Sequence, residues 1–260
     1  MIMTIHFYKY QGTGNDFVMI DNRVSLWQLS EAQIQAICER RTGIGADGLI
    51  LLENDPEADF RMIYYNADGK ESSMCGNGGR CITAFAHHLG IIDAKTTFRA
   101  IDGMHEALIQ EGIISLHMKD VSTIDHQKNY TILDTGSPHL VIFIDDVASV
   151  NVFEEGRKYR QLPAFMPKGI NVNFVQQQGE KLMVRTYERG VEAETLSCGT
   201  GVTAAAIAHS KLDLGTFKIP IQTPGGALEV SFRKTSAHTA DNIWLIGPAD
   251  FVFEGNIKLG

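Results

Sequence analysis

The chain has no run of basic residues, no C-x-x-C pair and no apolar stretch near the roughly 18 residues that span a bilayer. Each absence removes a class of function. Lysine and arginine number 23 against 31 acidic residues, a formal charge of -8, so neither nucleic acid nor an anionic membrane surface is expected as a partner. Cysteine is sparse: Cys38, Cys75, Cys81 and Cys198 make neither a disulfide scaffold nor a zinc ribbon nor a thioredoxin-type redox pair. The opening MIMTIHFYKYQGTGNDF carries no basic n-region and no long apolar h-region, which reads as a cytoplasmic protein. No lysine-centred motif for pyridoxal phosphate stands out.

The rest of the composition is that of a folded globule. With 44% hydrophobic and 21% charged residues, the 260-residue chain should bury a core, as one large domain or two of about 130 residues. Residues 4–23 read as short strands around a loop at Gly12-Thr13-Gly14-Asn15-Asp16. Ser30 is placed as the N-cap of a helix in which Ile34, Ile37 and Cys38 share one face, which makes Cys38 a core residue. Gly43 to Gly48 match G-x-G-x-x-G literally, but a helix precedes them and the strand-like LILLE follows. The dinucleotide fingerprint needs the reverse order, so this reading is rejected. FRMIYY at 60–65 reads as a strand ending in the turn Asn66-Ala67-Asp68-Gly69.

The 25 glycines cluster, and two clusters match each other. Cys75-Gly76-Asn77-Gly78 leads into an apolar helix ending in Ala86-His87; Cys198-Gly199-Thr200-Gly201 leads into another ending in Ala208-His209. Helices this apolar should lie inside the fold, their histidines packed, and the repeat implies two lobes with strands around one buried helix each. Strand-like runs with turn glycines follow both blocks, at Gly103 and at Gly225-Gly226. The polar stretch MKDVSTIDHQK marks the boundary, giving a first lobe of residues 1–119 plus about 250–260 and a second of 120–249.

In each block the cysteine should sit at a helix N-terminus, where partial positive charge favours a thiolate. Glycines there leave backbone N–H groups open to an anion such as a carboxylate. If the lobes face each other, Cys75 and Cys198 flank the carbon attached to that anion from opposite sides, which suits removal of an α-proton from one face and its return to the other. Packing alone gives no reason to repeat a cysteine beside anion-binding glycines. Cys81, inside the first helix, keeps the reading of a core residue.

The chain resembles the diaminopimelate epimerase family. The residues that carry the resemblance are Gly12-Thr13-Gly14-Asn15-Asp16-Phe17, Thr42-Gly43-Ile44-Gly45, Asn66-Ala67-Asp68-Gly69, Cys75 to Arg80, Pro138-His139, Asn171-Val172-Asn173 and Tyr187-Glu188-Arg189-Gly190 ahead of Cys198 to Gly201, in that family's order. It implies an α/β (α+β) fold of two pseudo-symmetric lobes from an internal duplication, each a mixed, largely antiparallel sheet wrapped around a central apolar helix. The active site would lie in the cleft between the lobes. It also implies interconversion of LL- and meso-2,6-diaminopimelate without cofactor or metal, on the way to lysine and peptidoglycan precursors, and a possible homodimer.

By position, Cys75 and Cys198 are then the acid/base pair, and Glu188 and His139 stand beside the reacting centre. Gly76, Asn77, Gly199 and Thr200 hold the reacting carboxylate, and Asn15, Asn66, Ser137, Asn171 and Arg189 hold the rest of the substrate. Four positions depart from the family's common pattern: Ser137 in place of Asn, Gly48 of Gln, Lys70 of Ser, and a run Val191–Glu194 one residue longer. Two other functions fit the same residues: a racemase or epimerase for another amino acid, proline-type or histidine, and a non-catalytic ligand-binding protein.

Overall fold

The structure is a computed structural model and describes residues 3–24, 26–72 and 74–259. The chain forms two units, Met1–Leu116 with Gly247–Gly260, and His117–Ile246. Residues 1, 2, 25, 73 and 260 of the expected first lobe lie outside the described residues. Among the described residues, no helix is long and apolar enough to cross a membrane.

The first unit begins with β1 (Met3–Gly12) and β2 (Asn15–Asp21), an antiparallel hairpin. Its turn is Thr13-Gly14, with φ of 51° and 85°, the doubly positive conformation that matches the twist of a two-residue hairpin. The expected five-residue loop is therefore shorter, because Asn15 and Asp16 already pair with Gly12 and Gln11. Helix α1 (Glu31–Cys38) starts at a reciprocal cap, Ser30 with Gln33, and buries Ile34, Ile37 and Cys38. It crosses over to β3 (Gly48–Glu53), parallel to β2, as a parallel pair requires. β4 (Phe60–Asn66) returns antiparallel, and α2 (Gly76–His88) crosses to β5 (Lys95–Ala100), parallel to β4. β6 (Gly103–Gln110) and β7 (Ile113–Met118) continue antiparallel.

The second unit repeats this order. β8 (Ile124–His126), β9 (Thr131–Asp134) and β10 (Pro138–Phe143) are antiparallel neighbours. Helix α3 (Val152–Arg160) crosses to β11 (Asn171–Gln178), parallel to β10. β12 (Lys181–Glu188) returns antiparallel, with the short β13 (Ala193–Thr195) on its edge. Helix α4 (Gly199–His209) then crosses to β14 (Gly215–Thr223), parallel to β12, followed by antiparallel β15 (Gly226–Ser236) and β16 (Thr239–Pro248). The last strand, β17 (Asp250–Leu259), goes back to the first unit and pairs with β1 from Met3 to Gln11. β17 stands to β1 as β8 stands to β9.

The fold is thus mixed α+β, with both duplicated helices embedded. α4 is buried at Gly199 and continuously from Gly201 to Ala208. α2 is buried from Gly76 to Thr83 and at Phe85 and Ala86, but His87 and His88 at its end are exposed rather than packed inside. The helix outruns the sheet there, and His88 rests its ring on Tyr8, Tyr10 and Phe251 at the rim.

Candidate active site

Cys75 and Cys198 hold the same structural position. Each is the extended N-cap residue of its buried helix, at φ -93° and -117°, and neither side chain caps the helix. The first backbone N–H groups of both helices are thus left without a side-chain cap beside a sulfur, the arrangement that binds anions. Their surroundings differ.

In the first unit, Asn15 opens β2 and reaches the start of α2. Its Oδ1 accepts from the Cys75 thiol at 3.6 Å and from Asn77 Nδ2 at 3.3 Å. Its orientation is set from behind, since Asn15 Nδ2 donates to Asp47 Oδ2 at 2.6 Å. Asp47 belongs to a charged cluster in which Arg40 bridges Asp16 and Asp47 at 2.8 and 2.6 Å and the buried Lys9 lies 2.7 Å from Asp16. Burial raises the Asp16 carboxyl, but hydrogen bonds from Arg40 and Lys9 more than offset this and hold it at about 2. Asn66 ends β4, where its Oδ1 accepts from Tyr64 at 2.8 Å, and the next residue's N–H bonds the Asp47 carbonyl.

One turn into α2 stands Arg80, fully buried. Its guanidinium donates to Thr13 Oγ1 at 3.1 Å, to the Pro248 carbonyl at 3.3 Å and to the Gly76 carbonyl at 3.4 Å. Among the described residues its partners are neutral oxygens, not a carboxylate, and burial lowers its pKa. A buried cation without an acidic partner is unfavourable, and a negative charge on a neighbouring sulfur would offset it. Cys81 is itself sealed in the core, where burial raises its thiol far out of the neutral range; Cys38, also buried, is raised to about 11.

In the second unit, Cys198 Sγ lies 3.5 Å from Thr200 Oγ1, and Thr200 Oγ1 lies 2.9 Å from His139 Nε2. His139 is fully buried on β10; desolvation, and then the positive charge of Arg189, push its imidazole down to about 3, so it is neutral at physiological pH. Thr135 Oγ1 holds the Thr200 carbonyl at 2.8 Å. Asn171 links two other expected residues: its Oδ1 accepts from the Arg189 N–H at 2.8 Å and its Nδ2 donates to Ser137 Oγ at 2.9 Å, while Arg189 Nη2 donates to the same hydroxyl at 3.3 Å. Glu188 Oε2 accepts from Thr195 Oγ1 at 3.0 Å. The long run after Gly190 is held down at Glu192, which takes bonds from Arg160 and Tyr187, and at Glu194, paired with Arg185 at 2.7 Å.

The expected residues therefore gather within each unit: Asn15, Asn66, Cys75, Gly76 and Asn77 in the first, and Ser137, His139, Asn171, Glu188, Arg189, Cys198, Gly199 and Thr200 in the second. Several neighbours escaped the sequence reading. Asp47 and the buried Arg80 carry no local signal of their role. Asn173 did carry one, because its two-residue spacing from Asn171 puts both side chains on one face of a strand.

Comparison with known proteins adds the following. The family model described as diaminopimelate epimerase matches residues 7–112 and 131–252. The diaminopimelate epimerase of Flavobacterium psychrophilum is 55% identical over 254 residues, covering 96% of this chain and 99% of that protein. That of Chlorobaculum tepidum is 43% identical over 260 residues, covering 95% and 99%. Among solved structures, a phenazine biosynthesis protein of the PhzF family from Bacillus anthracis superposes with a TM-score of 0.74 at 17% identity, covering 98% of this chain and 99% of that one. A hydroxyproline epimerase from Agrobacterium vitis gives 0.71 at 14% identity, covering 98% and 93%. These two share the fold.

Proposed function

Since the chain belongs to the diaminopimelate epimerase family, we propose that its two cysteine-led helix starts face one substrate and epimerise the α-carbon of diaminopimelate, interconverting the LL and meso forms. The protein is an isomerase. The observation that carries the residue assignment is the equivalence of Cys75 and Cys198, each the N-cap of a buried helix in one half of a duplicated fold.

In this reading the α-carboxylate sits against the N–H groups of Gly76 and Asn77 on one side and of Gly199 and Thr200 on the other. A thiolate takes the α-proton from one face, and the electron pair left on carbon spreads into the carboxylate. There the preorganised N–H groups stabilise the added charge. The opposite thiol gives its proton to the other face, so one S–H bond forms as the other breaks and the sulfurs exchange roles. Because two thiolates in one small site repel, the pair should titrate as a unit. Arg80, buried behind Cys75, adds a full positive charge on that side. Arg189, with Asn171 and Ser137, suits a carboxylate at the far end, and Asn15 and Asn66 offer amide groups to the rest of the substrate. A cytoplasmic location, a small-molecule substrate and a homodimer go with this reading.

The test is proton exchange: purified protein without added cofactor should wash deuterium from heavy water into LL-2,6-diaminopimelate and release the meso isomer. Exchange into proline or histidine alone would favour a different amino acid, and binding without exchange would make it a ligand-binding protein.

A further inference from the structure

Gly78 and Gly201 occupy the same place, three residues past Cys75 and Cys198, but they rest on different side chains. A Cβ at Gly78 would meet Ile50 Cδ1 at 3.2 Å and Phe17 at 3.6 Å; one at Gly201 would meet Asn173 Oδ1 at 2.4 Å and Thr186 Oγ1 at 3.3 Å. Strand registers make these the same positions of the repeat. Phe17 pairs with Gly48 and Ile50 with Tyr64 in the first unit; His139 pairs with Asn171 and Asn173 with Thr186 in the second. The fold closes under one helix start with phenylalanine, isoleucine and tyrosine, and under the other with histidine, asparagine and threonine. Burying polar groups where apolar ones suffice is unfavourable unless each is hydrogen-bonded.

Each is, and its donors and acceptors set the direction of the chain from Asn173 through His139 to Thr200. Asn173 Nδ2 donates to the Leu140 carbonyl at 3.1 Å, which identifies the nitrogen end of the amide, and Oδ1 accepts from Thr186 Oγ1 at 2.9 Å. The second Nδ2 hydrogen meets His139 Nδ1 at 3.1 Å, so that ring nitrogen accepts. A neutral imidazole accepting at Nδ1 carries its proton on Nε2, which lies 2.9 Å from Thr200 Oγ1. The Thr200 oxygen accepts that hydrogen bond, which leaves its own hydrogen available to Cys198 Sγ at 3.5 Å.

We propose that Asn173 and Thr186 are positioning residues for the epimerase: they lock His139 as a neutral Nε2–H donor and so commit the Thr200 hydroxyl to donating to Cys198 Sγ. This rests on the reading of Cys198 as an acid/base group. A hydrogen bond donated to sulfur favours the thiolate over the thiol, so His139 acts through Thr200 and takes no proton itself. The charged side chains at this end of β12 are Arg189, whose charge acts on His139, and Glu188, which holds Thr195.

The experiment follows, in the full-length protein, the Cβ chemical shift of isotopically labelled Cys198 and the ring-nitrogen shifts of His139 from about pH 5 to 9. The ring is expected to stay Nε2–H throughout. Thr200→Val and Asn173→Leu should each raise the Cys198 titration midpoint by about one unit, a tenfold loss of thiolate at a fixed pH above neither midpoint; Thr200→Ser should leave it in place. Should Asn173→Leu fail to fold, Asn173→Asp serves, since its carboxylate accepts from Nδ1–H, reverses the tautomer and should give the same upward shift. A ring that protonates in this range or carries its proton on Nδ1, or a midpoint unmoved by Thr200→Val, overturns the proposal. Failure of the wild type to exchange α-protons overturns the epimerase reading instead, and the titrations then judge the hydrogen-bond chain separately.

Discussion

The start of α2 and the start of α4 are two copies of one design, and they prepare their cysteines by different physics. Around Cys75 the decisive groups are charged: the buried Arg80 one turn along the helix, and Asp47 behind Asn15, itself held in the cluster of Asp16, Lys9 and Arg40. Around Cys198 they are neutral dipoles: Thr200, His139, Asn173 and Thr186 in a buried chain. Five residues after each cysteine stand Arg80 in one copy and Thr203 in the other, both fully buried. Duplication preserved the place of the sulfur while leaving the residues beneath it free to diverge.

The largest effects should come from the sulfurs. Cys75→Ala and Cys198→Ala are each expected to lower epimerisation by about 10³-fold or more with melting temperatures little changed; full turnover by either variant would end the symmetric comparison. Next is Arg80. Arg80→Met should lower kcat/KM by about 10- to 100-fold and move the Cys75 titration upward by more than it moves that of Cys198, with Arg80→Lys milder on both counts. An equal shift at both sulfurs would show that the charge is shared rather than local.

Acid should separate the units in the same sense. His139 has a folded pKa of about 3 against an ordinary 6.5, so below 6.5 the unfolded chain binds a proton that the folded one does not. Stability of the second unit should therefore fall as pH drops through the window from 6.5 to 3. Asp16, held at about 2 against 3.8, contributes stability above 3.8 that is lost as pH falls toward 2. Amide hydrogen exchange at stepwise lower pH should show the second unit loosening first, and His139→Phe, which copies Phe17, should flatten its response. The smallest effect is at Ser137: removing the hydroxyl shared by Asn171 and Arg189 should raise KM about fivefold with kcat unchanged, in line with the ~1 kcal/mol of one hydrogen bond.

Much of this comparison was legible in the sequence. The repeated C-G-x-G blocks gave both helix starts, because a cap residue and the glycines after it act locally, and Ser30 did the same for α1. The duplication followed from those blocks. What stayed hidden depends on register and depth. Nothing local says that Asn173 meets a histidine 34 residues earlier, since parallel pairing of β10 and β11 decides it. Nor does an arginine on an otherwise apolar helix announce that it lies wholly inside, donating to neutral oxygens. The loop expected at Gly12 to Asp16 was misjudged because glycine and asparagine suit turns, yet only Thr13 and Gly14 leave the ladder. The end of α2 was misjudged because periodicity does not show where a sheet stops covering a helix.

The return of β17 to β1 has a consequence for how the molecule is made. Met3 pairs with Leu259, so the first unit's sheet is completed by the strand translated after the entire second unit. On the ribosome, residues 117–246 form a contiguous stretch whose own partners have all emerged, whereas β1 must wait with one edge open. An open edge is a template for stray pairing, and long-range closure is slow. The half carrying Cys198 should thus mature before the half carrying Cys75, and loss of residues 250–259 should leave a nascent chain prone to aggregate through β1.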